Sequence, residues 1–134
     1  MMITRPFTGL ATDAAHSTKL RKTLYRGVNL SSGIELFYED IGNQTVNIGE
    51  FLGVIHAIKY IIDNNIEDKI IYTDSMTAIT WFNNKSTASK LNNKDLKKAE
   101  IFLKMMDKLV EPIQVLHWDN LKWGEIPADF GNKK

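Results

Sequence analysis

The hydrophobic pattern of this 134-residue chain changes its period near Asn47, and that change limits the folds available to it. Before Asn47, three segments have strand-type patterns and are joined by short turns: Gly9–Ala15, Lys22–Leu30 and Ile34–Ile41. After Asn47, apolar residues recur every three or four positions, as they do on the buried face of a helix. Short turns predict an antiparallel meander, and the alternation of helices and strands that follows predicts a mixed sheet covered by helices.

The elements after Asn47 follow from the same patterns and from turn residues such as Pro112. They are predicted to be a helix from Asn47 to Ile62, a strand Lys69–Thr73, a helix starting near Met76, a polar loop Asn83–Lys94, a helix Asp95–Val110, a strand Ile113–Trp118 and a short helical segment within Trp123–Phe130 that uses Pro127. Trp81 and Trp118 are predicted to pack in the core rather than to stack on bases. The sequence therefore predicts a mixed α/β fold with five strands.

Composition excludes some classes of protein and favours others. The chain has no cysteine, which excludes disulfides and thiolate metal sites, and its formal charge of +1 indicates no particular partner. No apolar stretch reaches membrane-spanning length, and residues 1–6 lack the layout of a secretion signal. We therefore expect a cytoplasmic protein.

Four carboxylates fall where a sheet or a helix has little structural use for them. They are Asp13 within the first strand, Glu50 in the first turn of a helix, Asp74 at the end of a strand and Asp129 near the chain end. If the first and fourth strands are neighbours, Asp13 and Asp74 lie side by side and Glu50 projects from a helix packed across them. Converging carboxylates repel one another and persist only when protonated or bound to cations. Their hard oxygen atoms favour Mg²⁺ or Mn²⁺, and two such ions about 4 Å apart can activate water against a phosphodiester.

Each carboxylate also has a purely structural explanation, and the residues alone leave both explanations open. The structural explanations are a solvent-facing edge position for Asp13, a capping box that joins Glu50 to Asn47, an N-cap made by Asp74 or Ser75, and compensation of a helix dipole by Asp129 after Pro127.

Taken as an ordered set, these motifs resemble type 1 ribonuclease H over nearly the whole chain. The set consists of Thr12-Asp13, Asn47-x-x-Glu50, Thr73-Asp74-Ser75 and Gly124-x-x-x-Ala128-Asp129. The resemblance implies a ribonuclease H-like fold with helices on both faces of a five-stranded sheet. It also implies one domain over residues 1–134, with an N-terminal extension at 1–7 and a final helix cut short at Lys134.

The resemblance further implies an activity and a set of roles. Asp13, Glu50, Asp74 and Asp129 would hold two Mg²⁺ ions, with Mn²⁺ as a substitute, and the RNA strand of RNA/DNA hybrids would be cleaved to 5′-phosphate and 3′-hydroxyl ends. Thr45 and Asn93 would hold a phosphate of the DNA strand, and Asn47 would meet the minor groove, where the 2′-hydroxyl distinguishes RNA from DNA. Loop or cap chemistry is the alternative explanation for Thr45 and Asn93.

A lysine-rich stretch between Asn83 and Lys98 adds a candidate surface for phosphates. Its candidate substrate-binding residues are Lys85, Lys90 and Lys94, and a solvated polar face is the alternative.

The chain also departs from the family pattern. Ala14-Ala15 stands where the family usually has glycine, and Ser75-Met76 stands where a glutamine is common. The position of the usual mobile histidine is occupied by Asp119, and His117 is a possible auxiliary residue two positions away.

Three functions follow from these observations. The first is a metal-dependent ribonuclease whose partner is an RNA/DNA hybrid, with no membrane contact and no obligate protein partner. The second is a non-catalytic module that binds hybrid or double-stranded RNA. The third is another nuclease of the same superfamily, such as a junction resolvase, that acts on DNA.

Overall fold

The computed structural model describes residues 5–87 and 93–130, and its centre is a five-stranded sheet of order β3-β2-β1-β4-β5. The strands β1 to β3 pair antiparallel, whereas β4 pairs parallel with both β1 and β5. The predicted meander and mixed sheet are therefore confirmed. The strands are β1 (Leu10–Ser17), β2 (Lys22–Asn29), β3 (Glu35–Asp40), β4 (Ile70–Thr73) and β5 (Gln114–His117).

Helices cover both faces of the sheet, but unequally. The helices are α1 (Val46–Asp63), α2 (Met76–Asn84), α3 (Lys94–Met105), α4 (Asp107–Val110) and α5 (Asn120–Trp123). The first face packs against α1 to α4 and forms the larger core, which includes Phe51, Ile58 and Trp81. The second face holds a smaller cluster around the fully buried Trp118, with Trp123 of α5 packed against it. No helix within residues 5–87 and 93–130 is both long and apolar enough to cross a membrane.

Helix α1 lies unusually close to β1 and β2 because it carries glycine at the contact. A Cβ atom at Gly49 would lie 2.8 Å from Cγ2 of Thr23 and 3.1 Å from Cβ of Ala14. Thr23 is fully buried, and its hydroxyl donates a hydrogen bond to the carbonyl of Gln44. The close approach brings the next residue of α1, Glu50, to the sheet.

The predicted helix Asp95–Val110 is wrong as a single element. Helix α3 ends at Met105, and Met106 has backbone angles of φ −98° and ψ 22°, which are outside the helical region. The N–H groups of Leu109 and Val110 then both bond to the carbonyl of Met106 and form the separate turn α4. Since neither glycine nor proline marks Met106, the local sequence carries no signal for this break.

The predicted short helix around Pro127 is also wrong within the described residues. The helical turn α5 lies earlier and ends before Gly124, after which the chain forms a turn closed by the Asp129 N–H and the Ile126 carbonyl at 2.8 Å. Ile126 and Ala128 are both buried in the cluster on the second face, which disfavours a helix because residues two positions apart lie on opposite sides of one. Lys90, residues 1–4 of the predicted extension and Lys134 lie outside the described residues.

Candidate metal centre

Strand pairing places Asp13 beside Asp74. β1 and β4 are parallel neighbours with Ala11 opposite Tyr72, so the next residues of each strand bring the two carboxylates level. Asp13 lies in the central strand and is only 7% exposed, so the edge-strand explanation for it is wrong. Asp74 does not cap α2, because the hydroxyl of Ser75 accepts the Ala78 N–H at 3.0 Å.

Glu50 reaches the same place because α1 begins earlier than predicted. The N-cap is Thr45, whose hydroxyl accepts the Ile48 N–H at 3.3 Å, and Asn47 is the second residue of the helix. The predicted capping box between Asn47 and Glu50 is therefore wrong. Ile48 and Gly49 are both buried, so the first turn of the helix already packs on the sheet.

The carboxylate oxygens of Asp13, Glu50 and Asp74 include one atom each that lies within 4.8 Å of the other two. Asp13 points to the second face of the sheet, as Ala11 does, whereas Glu50 comes from α1 on the first face. They meet because β4 ends at Thr73 and leaves the sheet open beside Asp13. The group therefore takes one side chain from a strand, one from a helix and one from a strand end.

Burial and mutual repulsion make two of these groups weak acids. Burial, reinforced by the charges of Asp74 and Asp129, raises the pKa of Asp13 to about 7, against the opposing backbone N–H groups of Ala14 and Phe130. Burial, reinforced by Asp13 and Asp74, raises the pKa of Glu50 to about 9. Without a cation, the cluster therefore retains protons at neutral pH.

One buried carboxylate oxygen without a hydrogen-bond partner indicates whether the site suits a cation. Oε1 of Glu50 is buried and has no hydrogen-bond partner among the described residues. A buried polar atom without a partner is costly, and a metal ion is one of the few groups that can satisfy it. Three converging hard oxygen donors match the ligand preference of Mg²⁺ and Mn²⁺. The residues present therefore fit a divalent cation.

Asp129 approaches the cluster from the C-terminal segment, residues 124–130. Its charge raises the pKa of Asp13, and the neighbouring N–H of Phe130 bonds to the Asp13 carboxylate. Among the described acidic residues, Asp129 does not belong to the group of three that lies within 4.8 Å. Because the segment here is a turn and not a helix, dipole compensation does not explain Asp129.

Asn120 is a site residue that sequence reasoning missed. Its Nδ2 donates to Oδ2 of Asp74 at 3.0 Å, and its Oδ1 accepts the N–H of Ile126 at 3.1 Å. One carboxamide thus links Asp74 to the C-terminal segment and fixes the orientation of one carboxylate oxygen. No sequence pattern marks Asn120, because both of its partners are distant or lie in irregular structure.

The predicted substrate residues Thr45 and Asn93 are brought together at two helix N-termini. Asn93 caps α3 by accepting the Leu96 N–H at 3.0 Å, and its Nδ2 donates to Oε1 of Gln44, next to Thr45. Both residues are therefore caps, as their structural explanation requires. Asn47 is exposed on α1 one turn before Glu50, and Lys94 is exposed as the first residue of α3.

Other predicted residues are engaged elsewhere. Lys85 forms an ion pair with Asp107 at the far end of α2 from Asp74. His117 is the exposed last residue of β5, and Asp119 caps α5 by accepting two backbone N–H groups at 3.0 Å. The carboxylate of Asp119 thus serves the helix cap.

Comparison with solved structures identifies the architecture, although no family model matches the sequence. The LC11 ribonuclease H1, isolated from compost by a metagenomic approach and solved with an RNA/DNA hybrid, gives a TM-score of 0.55 at 18% identity, over 84% of this chain and 86% of that one. The chain has the ribonuclease H fold. The N-terminal RNase H domain of a Mycobacterium tuberculosis protein gives a TM-score of 0.52 at 13% identity, over 82% of this chain and 86% of that one.

A viral protein shares the ribonuclease H fold as one part of a longer chain. The foamy viral protease-reverse transcriptase, solved with an RNA/DNA hybrid, gives a TM-score of 0.56 at 18% identity, over 85% of this chain but 18% of that one. The fold that the sequence resemblance implied is thereby confirmed.

Proposed function

We propose that this chain is a metal-dependent endonuclease that hydrolyses the RNA strand of RNA/DNA hybrids and leaves 5′-phosphate and 3′-hydroxyl ends. The observation that carries the proposal is the convergence of Asp13, Glu50 and Asp74 around a buried Glu50 oxygen that lacks a partner. An inert binding module gains nothing from concentrated negative charge where phosphates dock. The ribonuclease H fold, present in two similar structures that hold an RNA/DNA hybrid, supports the choice of substrate.

In this proposal the four carboxylates Asp13, Glu50, Asp74 and Asp129 hold two divalent ions, Mg²⁺ or Mn²⁺. When bound, such ions activate a water and stabilise the leaving oxygen of a phosphodiester. The chain itself supplies the fixed oxygen donors, and Asp13 and Glu50 release their protons as the cations bind. Asn120 orients Asp74 through its hydrogen bond to Oδ2.

The paired helix N-termini are proposed to bind a phosphate of the DNA strand. The N-termini of α1 and α3 lie side by side through the bond between Gln44 and Asn93, and helix N-termini favour anions. The Thr45 hydroxyl accepts a bond from Ile48, so its own O–H can still donate to a phosphate. Asn47, exposed beside Glu50, is placed to meet the minor groove.

The lysines are proposed to attract the duplex from a distance. Lys94 is exposed beside Asn93 and suits this role, as does Lys90 by its place in the sequence. Lys85 contributes less, since Asp107 offsets its charge.

Cleavage assays on labelled RNA/DNA hybrid, RNA duplex and DNA duplex, with and without Mg²⁺, test the proposal. We expect the wild type to cut only the RNA strand of the hybrid and to require the ion. Asp74→Asn should lower the rate by about 10³-fold, as expected for a removed catalytic group. Asp68→Asn, the same change at an exposed position, should have no effect.

Each other outcome selects a different function. Cleavage of the DNA duplex would favour the DNA nuclease, and hybrid binding without cleavage would favour the non-catalytic module. A cleavage rate that Asp74→Asn leaves unchanged would overturn the metal mechanism.

A further inference from the structure

Arg26 lies in β2 directly opposite Asp13 of β1. Strand alternation places its side chain on the second face of the sheet, the face of Val28 and of the C-terminal segment. A charged residue inside a central part of a sheet is uncommon, because strands favour β-branched and aromatic residues. Arg26 therefore needs an explanation from its contacts.

The guanidinium of Arg26 binds three consecutive backbone carbonyls of the C-terminal segment. Nε donates to the Ala128 carbonyl at 2.8 Å, and Nη2 donates to the carbonyls of Pro127 at 3.3 Å and Asp129 at 3.4 Å. Its carbon atom also lies 5.6 Å from the ring centroid of Phe130. Among the described residues, the remaining contact is that of Nη1, which bonds to none of the three carbonyls and donates to Oε1 of the exposed Glu35 at 3.2 Å.

These contacts fix the position of the segment that carries Asp129, whereas regular elements fix the other three carboxylates. Residues 127–130 belong to no helix or strand, so backbone pairing within an element does not fix them. Buried carbonyl groups require donors, and the planar guanidinium presents five N–H groups in a fixed fork. The segment held in this way carries the Asp129 carboxylate and the Phe130 N–H, both of which act on Asp13.

We propose that Arg26 is a positioning residue that sets Asp129 against Asp13 and thereby completes the binding of the second cation. This role rests on the proposed function, since it concerns the same metal centre. Within the described residues no hydrogen bond or ion pair joins the guanidinium to Asp13, Glu50 or Asp74, so Arg26 acts through the segment that carries Asp129.

Three variants test the role: Arg26→Gln, Arg26→Lys and the control Glu35→Gln. Glu35→Gln removes the negative charge paired with Nη1 of Arg26, keeps an oxygen that can accept its hydrogen bond, and leaves the three carbonyl contacts available. The measurements are calorimetric titration with Mn²⁺ alone, hydrogen exchange of the Asp129 and Phe130 amides, and hybrid cleavage at several Mn²⁺ concentrations.

For Arg26→Gln we expect Mn²⁺ affinity at the weaker site to fall by about 10- to 100-fold, the usual cost of losing a group that orients a metal ligand. The Asp129 and Phe130 amides should exchange faster by about 10-fold or more relative to those of β1, because their segment opens locally. kcat should fall at low Mn²⁺ and recover at high Mn²⁺, with KM for the hybrid unchanged. Arg26→Lys should be intermediate because one ammonium cannot serve three carbonyls, and Glu35→Gln should match the wild type.

A purely structural role would lower the melting temperature but leave the Mn²⁺ affinity and its rescue of kcat unchanged, and that result would overturn the proposal. Unchanged amide exchange in Arg26→Gln would overturn it as well. If the wild type neither binds Mn²⁺ nor cleaves hybrid, the proposed function fails and this role fails with it. A wild type that binds and cleaves, beside an Arg26→Gln variant that behaves identically, removes only the role of Arg26.

Discussion

The candidate centre is built in two ways. Asp13, Glu50 and Asp74 stand on or directly after β1, α1 and β4, whereas Asp129 stands on a turn held by side-chain contacts, three of them from Arg26. Backbone pairing and the main core fix the first three, which explains why their oxygens lie within 4.8 Å of one another. The fourth depends on a few contacts with the smaller core. The three carboxylates on regular elements are therefore held more rigidly than Asp129, which lies on the irregular C-terminal segment.

The largest expected difference is between Asp13→Asn and Asp129→Asn in hybrid cleavage. Asp13→Asn removes the member that interacts electrostatically with the other three carboxylates and should reduce kcat by about 10³-fold or more, the range for a removed catalytic group. Asp129→Asn should reduce it by only about 10- to 100-fold, since the group of three remains. Steady-state rates at saturating Mg²⁺ check both, and equal losses would show that the two ways of holding a carboxylate are equivalent.

A smaller effect should follow from Gly49→Ala, which tests how the regular elements fix Glu50. The new Cβ would lie 2.8 Å from the buried Thr23 methyl, so α1 must shift, at a cost of roughly 1–3 kcal/mol in the free energy of unfolding. A shift of Glu50 should also lower kcat by up to about 100-fold, the cost of misplacing a reacting group by about 1 Å. Urea denaturation and hybrid cleavage measure the two effects.

Gly53→Ala is the matched control for Gly49→Ala. It makes the same change one turn along α1, where a Cβ finds ordinary contact 3.4 Å from Cβ of Tyr25. It should be neutral or stabilise the protein by up to about 1 kcal/mol, because alanine favours helix over glycine. A loss of stability equal to that of Gly49→Ala would contradict the close-approach explanation.

Stability should also depend on pH in the absence of divalent cations, and the difference between variants in this dependence is the smallest expected effect. The pKa values of Asp13 and Glu50 are raised in the folded state to about 7 and about 9, so the native protein binds more protons than the unfolded chain above about pH 4. Stability should therefore be greatest in mild acid and fall as pH rises towards 9, on the order of 1 kcal/mol per pH unit. Thermal melts in EDTA measure this slope, and Mg²⁺ should flatten it.

Substitutions sharpen the pH experiment. Asp74→Asn should narrow the pH range over which stability falls because Asp74 raises the pKa of both groups, and Asp129→Asn should narrow it less, since it acts on Asp13 alone. A wild-type protein whose stability rises with pH in EDTA would contradict the assigned pKa directions.

The sequence was informative wherever short-range pattern decides structure. Strand alternation and helical period located β1, α1 and β4, and the meander followed from short turns, so Asp13 and Asp74 could be expected side by side. The sequence did not decide which residue caps α1, because Thr45 and Asn47 are both good N-cap residues. In the structure the Thr45 hydroxyl accepts the Ile48 N–H, so Thr45 is the cap.

The part of the centre that the sequence did not predict depends on contacts between distant residues. Arg26 and Ala128 are 102 positions apart, and Asn120 and Asp74 are 46 apart, so no local pattern records either pair. The break at Met106 is similar, since no glycine or proline marks it in the sequence. The irregular C-terminal segment, which carries Asp129, is accordingly where sequence reasoning was least accurate.

The positions of the three tryptophans allow the two cores of the protein to be followed separately by fluorescence. Trp81 lies in the main core, whereas Trp118 donates its indole N–H to the Gly124 carbonyl at 2.8 Å and packs edge-on against Trp123. Detachment of the residues after Gly124 would expose Trp118 and Trp123 to water and shift their fluorescence emission to longer wavelength. The emission of Trp81, in the main core, would not shift. Intrinsic fluorescence of variants with one indole each can therefore follow loosening of the chain end separately from global unfolding.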